Sequence, residues 1–192
     1  MKKLFLAFFI LLVSCNTYAY NYYGYIKPYR VALTLSNPLS GSFKYGGGWE
    51  HRYKNFSYFP SYYLYSGAYP GAQMDLDLRL YFRKFWRMST GWTYQHFMYV
   101  RGVYGACSFD GTKLSMLGFD PKVETDAYGY AGGAAGIGRR YVKGSFFITM
   151  KGGLKYVALQ DMKKEDKNMF RLFYATGPGS ILEFNIQLGI QF

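Results

Sequence analysis

The ten residues from Glu183 to Phe192 alternate without a break: Phe184, Ile186, Leu188, Ile190 and Phe192 are apolar, while Glu183, Asn185, Gln187, Gly189 and Gln191 are polar or small. Successive side chains of an extended strand point to opposite faces, so this segment has one apolar and one polar face. A helix, with its period of 3.6, would scatter the same apolar residues around its circumference. The dyad recurs in Met74, Leu76, Leu78, Leu80 and Phe82, set against Gln73, Asp75, Asp77, Arg79 and Tyr81. It returns in Phe146, Ile148, Met150, Leu154 and Tyr156 against Thr149, Lys151 and Lys155. Trp86, Met88, Trp92, Tyr94 and Met98 likewise oppose Arg87, Ser89, Thr93 and Gln95, and Phe43, Tyr45, Trp49 and Tyr53 oppose Lys44, Glu50 and Arg52.

Counted along the chain, the pattern predicts eight strands, at 25 to 36, 42 to 53, 56 to 66, 72 to 82, 86 to 100, 127 to 138, 145 to 159 and 181 to 192. A strand crosses a bilayer in about 9–11 residues, and alternating segments of that length separated by turns are the signature of a membrane barrel. An open sheet edge cannot be satisfied in hydrocarbon, so strands with a lipid-facing side must close on themselves. The expected fold is therefore all-β, an eight-stranded antiparallel up-and-down transmembrane β-barrel.

The first residues read as an export leader. Lys2 and Lys3 are followed by an apolar run from Leu4 to Val13 and by small or polar residues through Ala19. Ten apolar residues are too few for a membrane helix, which takes about 20. Residues 1–19 are thus expected to be a signal peptide and 20–192 one barrel domain. Leu12-Val13-Ser14-Cys15 offers a second exit, a lipobox that would make Cys15 a lipidated N-terminus. With cleavage after Ala19, Cys107 stands alone and no intramolecular disulfide is available.

Composition agrees with two-faced strands: 22 Tyr, 17 Phe and 23 Gly accompany a mean hydropathy of only −0.13. The formal net charge of +12 is compatible with nucleic acid, acidic headgroups or a solvated surface, and export removes nucleic acid from that set. With the N-terminus in the periplasm, tight links at 54 to 55, 83 to 85 and 139 to 144 fall on the periplasmic side. The long connections 101 to 126, which carries Cys107, and 160 to 180 fall outside, as expected of such barrels. The basic turns at Arg83, Lys84, Arg87 and at Arg139, Arg140, Lys143 read as solvated charge. Pro60 cannot donate to a ladder, so the third strand is expected to be bulged or broken there.

Eight strands leave an interior just wide enough to be filled by side chains. The inward set read from parity is Lys44, Glu50, Arg52, Asp75, Asp77, Arg79, Arg87, Lys151, Lys155 and Glu183, expected to form an ionic plug in preference to an ion pathway. The aromatic runs Tyr18 to Tyr25 and Tyr58 to Tyr69 read as interfacial belts and loop bases. Gly46-Gly47-Gly48 and Gly132-Gly133 open no helix and so are not phosphate loops; in strands such glycines allow curvature or close backbone approach.

The histidines are His51 and His96, both lipid-facing by parity. Such placement resembles the outer-membrane lipid A deacylases, which carry an exterior H-x-S pair; here the sequence is His96-Phe97-Met98, without the nucleophile that acyl transfer needs. No metal-ligand spacing is present, and Asp75 and Asp77 are followed on their own face by Arg79. No catalytic residue, cofactor or metal is expected.

Asn37-Pro38 with Gly41, Lys44-Tyr45 to Trp49-Glu50, Leu78-Arg79-Leu80-Tyr81-Phe82, Gly91-Trp92 and Ala131-Gly132-Gly133-Ala134 together resemble a domain-of-unknown-function family of small outer-membrane barrels common in Bacteroidetes, and more loosely the eight-stranded OmpX and OmpA barrels. Phe192 looks like the aromatic C-terminal signal read by the barrel-assembly machinery. The resemblance implies an outer-membrane location and brings no catalytic residues. The expected role is that of a non-enzymatic surface barrel with a structural, adhesion or interaction function through its long outer loops. Its expected partners are outer-membrane lipid and lipopolysaccharide, the assembly machinery during biogenesis, and a surface ligand. The alternatives are a lipid-modifying enzyme using His96, a narrow pore, and a soluble lipocalin-like barrel in which the alternation runs with the opposite sense.

Overall fold

The computed structural model describes residues 27, 29–36, 42–67, 70–108, 128–159 and 181–192. They form eight strands: β1 (Tyr29–Ser36), β2 (Ser42–Tyr53), β3 (Phe56–Gly67), β4 (Gly71–Arg87), β5 (Thr93–Cys107), β6 (Tyr128–Lys143), β7 (Phe146–Leu159) and β8 (Leu182–Gln191). Each strand pairs antiparallel with its sequence neighbours, and β1 pairs with β8, so the sheet is a closed barrel in simple meander order. Among the described residues no helix is long and apolar enough to cross a membrane.

The links divide the barrel into two ends. Lys54-Asn55, Met88 to Trp92 and Gly144-Ser145 are short turns at one end, here the turn end. Lys54 and Gly144 open their two-residue hairpins at φ 51° and 59°, the left-handed backbone that tight hairpins demand. The chain ends of the barrel meet at the same rim, where Tyr29 and Phe192 exchange backbone hydrogen bonds of 3.3 and 3.0 Å. The connections 37–41, 68–69, 109–127 and 160–180 leave from the opposite, loop end and lie outside the described residues, as do the expected leader 1–19 and Cys15 within it.

Side-chain direction follows the dyad. On β4, Gln73, Asp75, Asp77, Arg79 and Tyr81 are buried inside while Met74, Leu76, Leu78, Leu80 and Phe82 are exposed outside. The outer band includes Leu33 and Ile137, each 71% exposed, and Leu154 at 62%. Over the middle of the barrel the outer band is thus apolar, while the charged residues there face in together with a set of buried aromatic rings, Phe59, Phe97 and Phe147 among them.

The limits of β4, β5 and β6 differ from the sequence reading by several residues. The basic stretch Arg83-Lys84-Phe85 is not a turn: the β4–β5 register shifts between Tyr81 and Phe85, a bulge after which β4 runs on to Arg87. Four steps along β4 there match two along β5, so the strand carries extra residues while its parity is kept, Tyr81 and Phe85 both standing opposite buried residues of β5. In consequence β5 begins at Thr93 and extends to Cys107, so Cys107 is not on an outer loop but is a buried, inward residue of β5. Likewise β6 continues to Lys143 through Arg139 and Arg140 and turns only at Gly144-Ser145.

Pro60 neither breaks nor shifts β3. It pairs with Leu76 on the β4 side, while on the β2 side the ladder passes from Gly48↔Ser61 to His51↔Tyr58 with the register kept. Proline has no N–H to give, so the ladder is interrupted on the β2 side alone and the strand continues.

Candidate functional site

The concentration of chemistry in this molecule is the lumen. Glu50, Asp75, Asp77 and Glu183 are the acidic residues among those described, and all four lie inside, at most 4% exposed. Facing them are Arg30, Lys44, Arg52, Arg79, Arg101, Arg140, Lys151 and Lys155, all buried. Charges taken out of water are tolerated when paired and hydrogen-bonded, and the pairing here is extensive.

Asp77 is the hub at mid-height. Its Oδ2 accepts from Arg79 Nη2 at 2.7 Å and from Lys151 Nζ, and its Oδ1 accepts from Arg101 Nε. Arg101 then reaches towards the loop end, 3.0 Å from Asp75 Oδ2 and paired with Glu183 Oε1. Lys44 Nζ closes this group, 3.1 Å from Asp75 Oδ2 and 3.6 Å from Glu183 Oε1. Gln73 donates to Asp75 while its own Oε1 accepts from Tyr65 and Tyr130 at 2.9 and 3.0 Å. In the other direction Arg79 Nη1 lies 3.5 Å from Glu50 Oε1, which also accepts from Ser57 Oγ at 2.6 Å and Tyr81 OH at 2.8 Å. One network therefore runs from Glu183 to Glu50 along most of the barrel axis.

Aromatic rings fill what the ion pairs leave. Arg79 lies over Phe59 at 4.5 Å, Arg52 over Tyr81 at 3.7 Å and Lys44 over Tyr63 at 4.2 Å, contacts in which the ring face stabilises the cation. The rings in turn require glycine opposite them. A Cβ at Gly48 would stand 2.8 Å from Phe59 Cζ, one at Gly189 2.6 Å from Phe147 Cζ, and one at Gly138 would enter the Phe97 ring. Phe97↔Gly138 and Phe147↔Gly189 are direct cross-strand pairs. The glycine-rich strands thus make room for interior aromatics, a close-approach role.

Of the residues named from sequence, Lys44, Glu50, Arg52, Asp75, Asp77, Arg79, Lys151, Lys155 and Glu183 are buried in the lumen. Arg87 is not with them: it is exposed, paired with Thr93 at the last rung of β4 beyond the bulge. Three lumen arginines went unnamed in the sequence reading, and each sits where that reading had no strand parity to offer. Arg101 fell in a loop, Arg140 in a basic turn, and Arg30 on the strand with the fewest polar markers.

The outer surface at the turn end is aromatic and basic. Trp86 stacks on Tyr94 at 5.3 Å, His96 meets both rings edge-on, and Arg139 lies over Tyr94 at 5.0 Å and donates to Tyr141 OH at 3.1 Å. Across the barrel Tyr29, Trp49, His51 and Tyr58 form a second group, with Phe192 stacked on Tyr29 at 6.2 Å. Lys54, Arg83, Lys84, Arg87, Arg139 and Lys143 are exposed around this rim. His96 packs edge-on against Trp86 and Tyr94 and pairs across the sheet with Arg139. Among the described residues no group of three or more His, Cys, Asp or Glu side chains is arranged to hold a metal ion.

Comparison with family models, with curated proteins and with solved structures found no match for this chain. Its likeness to small OmpX-type barrels consists of the strand number, the antiparallel order and the closure of the sheet.

Proposed function

We propose that this protein is a non-conducting, non-enzymatic barrel of the bacterial outer membrane, of the small-barrel family it resembles, which holds its long connections at the cell surface for an adhesive or other binding role. The observation that carries the proposal is the sense of the alternation: a continuous apolar band outside and a cross-linked ionic network inside the same strands. A soluble ligand-holding barrel needs the opposite sense, because its apolar face must line the cavity. In lipid the outward Leu, Ile and Val side chains are solvated by acyl chains, and the aromatic rim with its lysines and arginines matches an interface with anionic headgroups. A filled lumen favours support over transport.

The test is made on the protein from purified outer membranes or refolded into lipid. The expected result is a gel mobility that changes on boiling in detergent, together with no unitary conductance in planar bilayers. Soluble fractionation with invariant mobility would overturn the membrane assignment, and steady channels would overturn the plugged lumen. Replacing 109–127 or 160–180 by short linkers is expected to leave insertion intact and to remove surface binding. Failure to insert would show that these segments belong to the barrel's own fold.

A further inference from the structure

At the turn end of the lumen the charge balance fails. Arg30 from β1, Arg52 from β2 and Arg140 from β6 converge there, each no more than 3% exposed. Their Nε atoms are tied to the wall: Arg30 to Gln191 Oε1 at 3.2 Å, Arg52 to the Lys54 carbonyl at 2.8 Å, Arg140 to Thr149 Oγ1 at 2.9 Å. These bonds fix the guanidinium planes and leave the Nη ends to be satisfied elsewhere. The carboxylate within reach is Glu50, 2.6 Å from Arg140 Nη2 and 3.6 Å from Arg30 Nη1, and it is already shared with Arg79. Arg30 Nη1, Arg52 Nη2 and Arg140 Nη1 are buried without a hydrogen-bond acceptor. The same three arginines, with Thr93, line a cavity of about 10 Å³.

Three facts coincide at one place: surplus positive charge, N–H groups lacking acceptors, and an empty volume between them. A buried guanidinium without acceptor or counter-charge is costly. A water molecule would supply acceptor lone pairs but no charge, whereas an anion supplies both. The volume admits one particle of about the size of water; a tetrahedral oxyanion is too large to enter whole. We propose that this cavity is a binding site for a single halide-sized anion, held by Arg30, Arg52 and Arg140 as a structural component of the barrel's turn end.

The experiment uses the full chain refolded in non-ionic detergent, with urea unfolding followed by gel mobility at constant ionic strength while sodium gluconate is exchanged for sodium chloride. A ligand bound by the native state alone shifts the unfolding equilibrium by the factor 1 + [L]/Kd, about 100-fold at 100 times Kd. Chloride is expected to raise the midpoint, Arg52→Met to abolish that response, and Lys84→Met, an exposed basic residue at the same end, to retain it. Bromide soaked into crystals of the unaltered protein is expected to give an anomalous peak between the three arginines, a readout that survives if Arg52→Met fails to fold. An equal response in gluconate and chloride, or no bromide at the site, overturns the proposal. Stabilisation by phosphate but not by chloride also overturns it, in favour of a headgroup-type oxyanion placing one oxygen in the cavity.

Discussion

The middle of the lumen and its turn end use the same residue types and are balanced differently. At mid-height Asp77, Asp75 and Glu183 interlock with Arg79, Arg101, Lys44 and Lys151, so each carboxylate meets at least two cations. At the turn end Glu50 alone answers Arg30 and Arg140 while Arg52 is compensated by a ring face. At mid-height Arg79 Nη1 and Arg101 Nη2 also lack a hydrogen-bond acceptor, but the carboxylates around them are each held by more than one cation, whereas at the turn end Arg30, Arg52 and Arg140 surround a cavity with Glu50 as the carboxylate within reach. The difference teaches that the network at mid-height holds the barrel together, whereas the rim tolerates an unsatisfied charge or invites a counter-ion.

The sharpest test of that contrast removes the hub. Asp77→Asn keeps the shape and deletes the charge facing Arg79, Arg101 and Lys151, and breaking a buried ionic group in this way is expected to cost about 3–5 kcal/mol. The loss would be read from urea unfolding of the protein in detergent; a change below about 1 kcal/mol would mean that the mid-lumen network contributes little. Next in size is Val100→Arg on the outer face of the middle of β5, which in a bilayer is expected to cost about 2–4 kcal/mol. Measured in lipid and again in a polar detergent, that cost should shrink in the second medium, and an equal value in both would argue against a lipid-facing band.

Smaller again is Gly138→Val, which forces branched carbons against Phe97; overpacking of this kind costs about 1–3 kcal/mol. Combining it with Phe97→Leu should recover part of the loss, a coupling that a double-mutant cycle reads directly. Arg52→Met in chloride-free buffer is expected to change stability by less than about 1 kcal/mol, because lost stacking on Tyr81 is offset by relief of surplus charge. A loss comparable to that of Asp77→Asn would erase the distinction between the two regions.

Much of this architecture was legible because a strand's period is 2 and the barrel's two faces differ in polarity. Where that polarity holds, as along Gln73 to Phe82 and Glu183 to Phe192, the sequence reading and the structure coincide in face, and for β8 nearly in length. It fails where the contrast vanishes. From Gly102 to Cys107 the inward residues are Val103, Gly105 and Cys107 and the outward ones Gly102, Tyr104 and Ala106, so no polar face marks the strand and Arg101 is orphaned from its network. Arg139 and Arg140 sit side by side because one reaches the aromatic rim outside and the other the lumen; adjacent basic residues mimic a turn. The bulge between Tyr81 and Phe85 hid the remaining boundary, since the exposed basic pair Arg83-Lys84 within it looks like a loop. Closure itself was inferable only from the impossibility of an open edge in lipid. The convergence of Arg30, Arg52 and Arg140 was beyond reach, because it depends on which strands lie opposite one another across the axis.

The ladders around the barrel are unequal. β5 and β6 pair from Thr93↔Val142 to Cys107↔Tyr128, while β1 and β8 pair only from Arg30↔Gln191 to Ser36↔Asn185 among the described residues, with the Tyr29 and Phe192 backbone bonds beyond. A sheet closed on itself has no edge to fray, so separation must begin by opening a seam, and the shortest seam joins the first strand to the last. Amide exchange is therefore expected to be fastest along β1 and β8 and slowest at β5 and β6. The protein is in effect a long hairpin array that is latched into a cylinder at one narrow clasp, and the strength of that clasp sets how readily the cylinder unrolls.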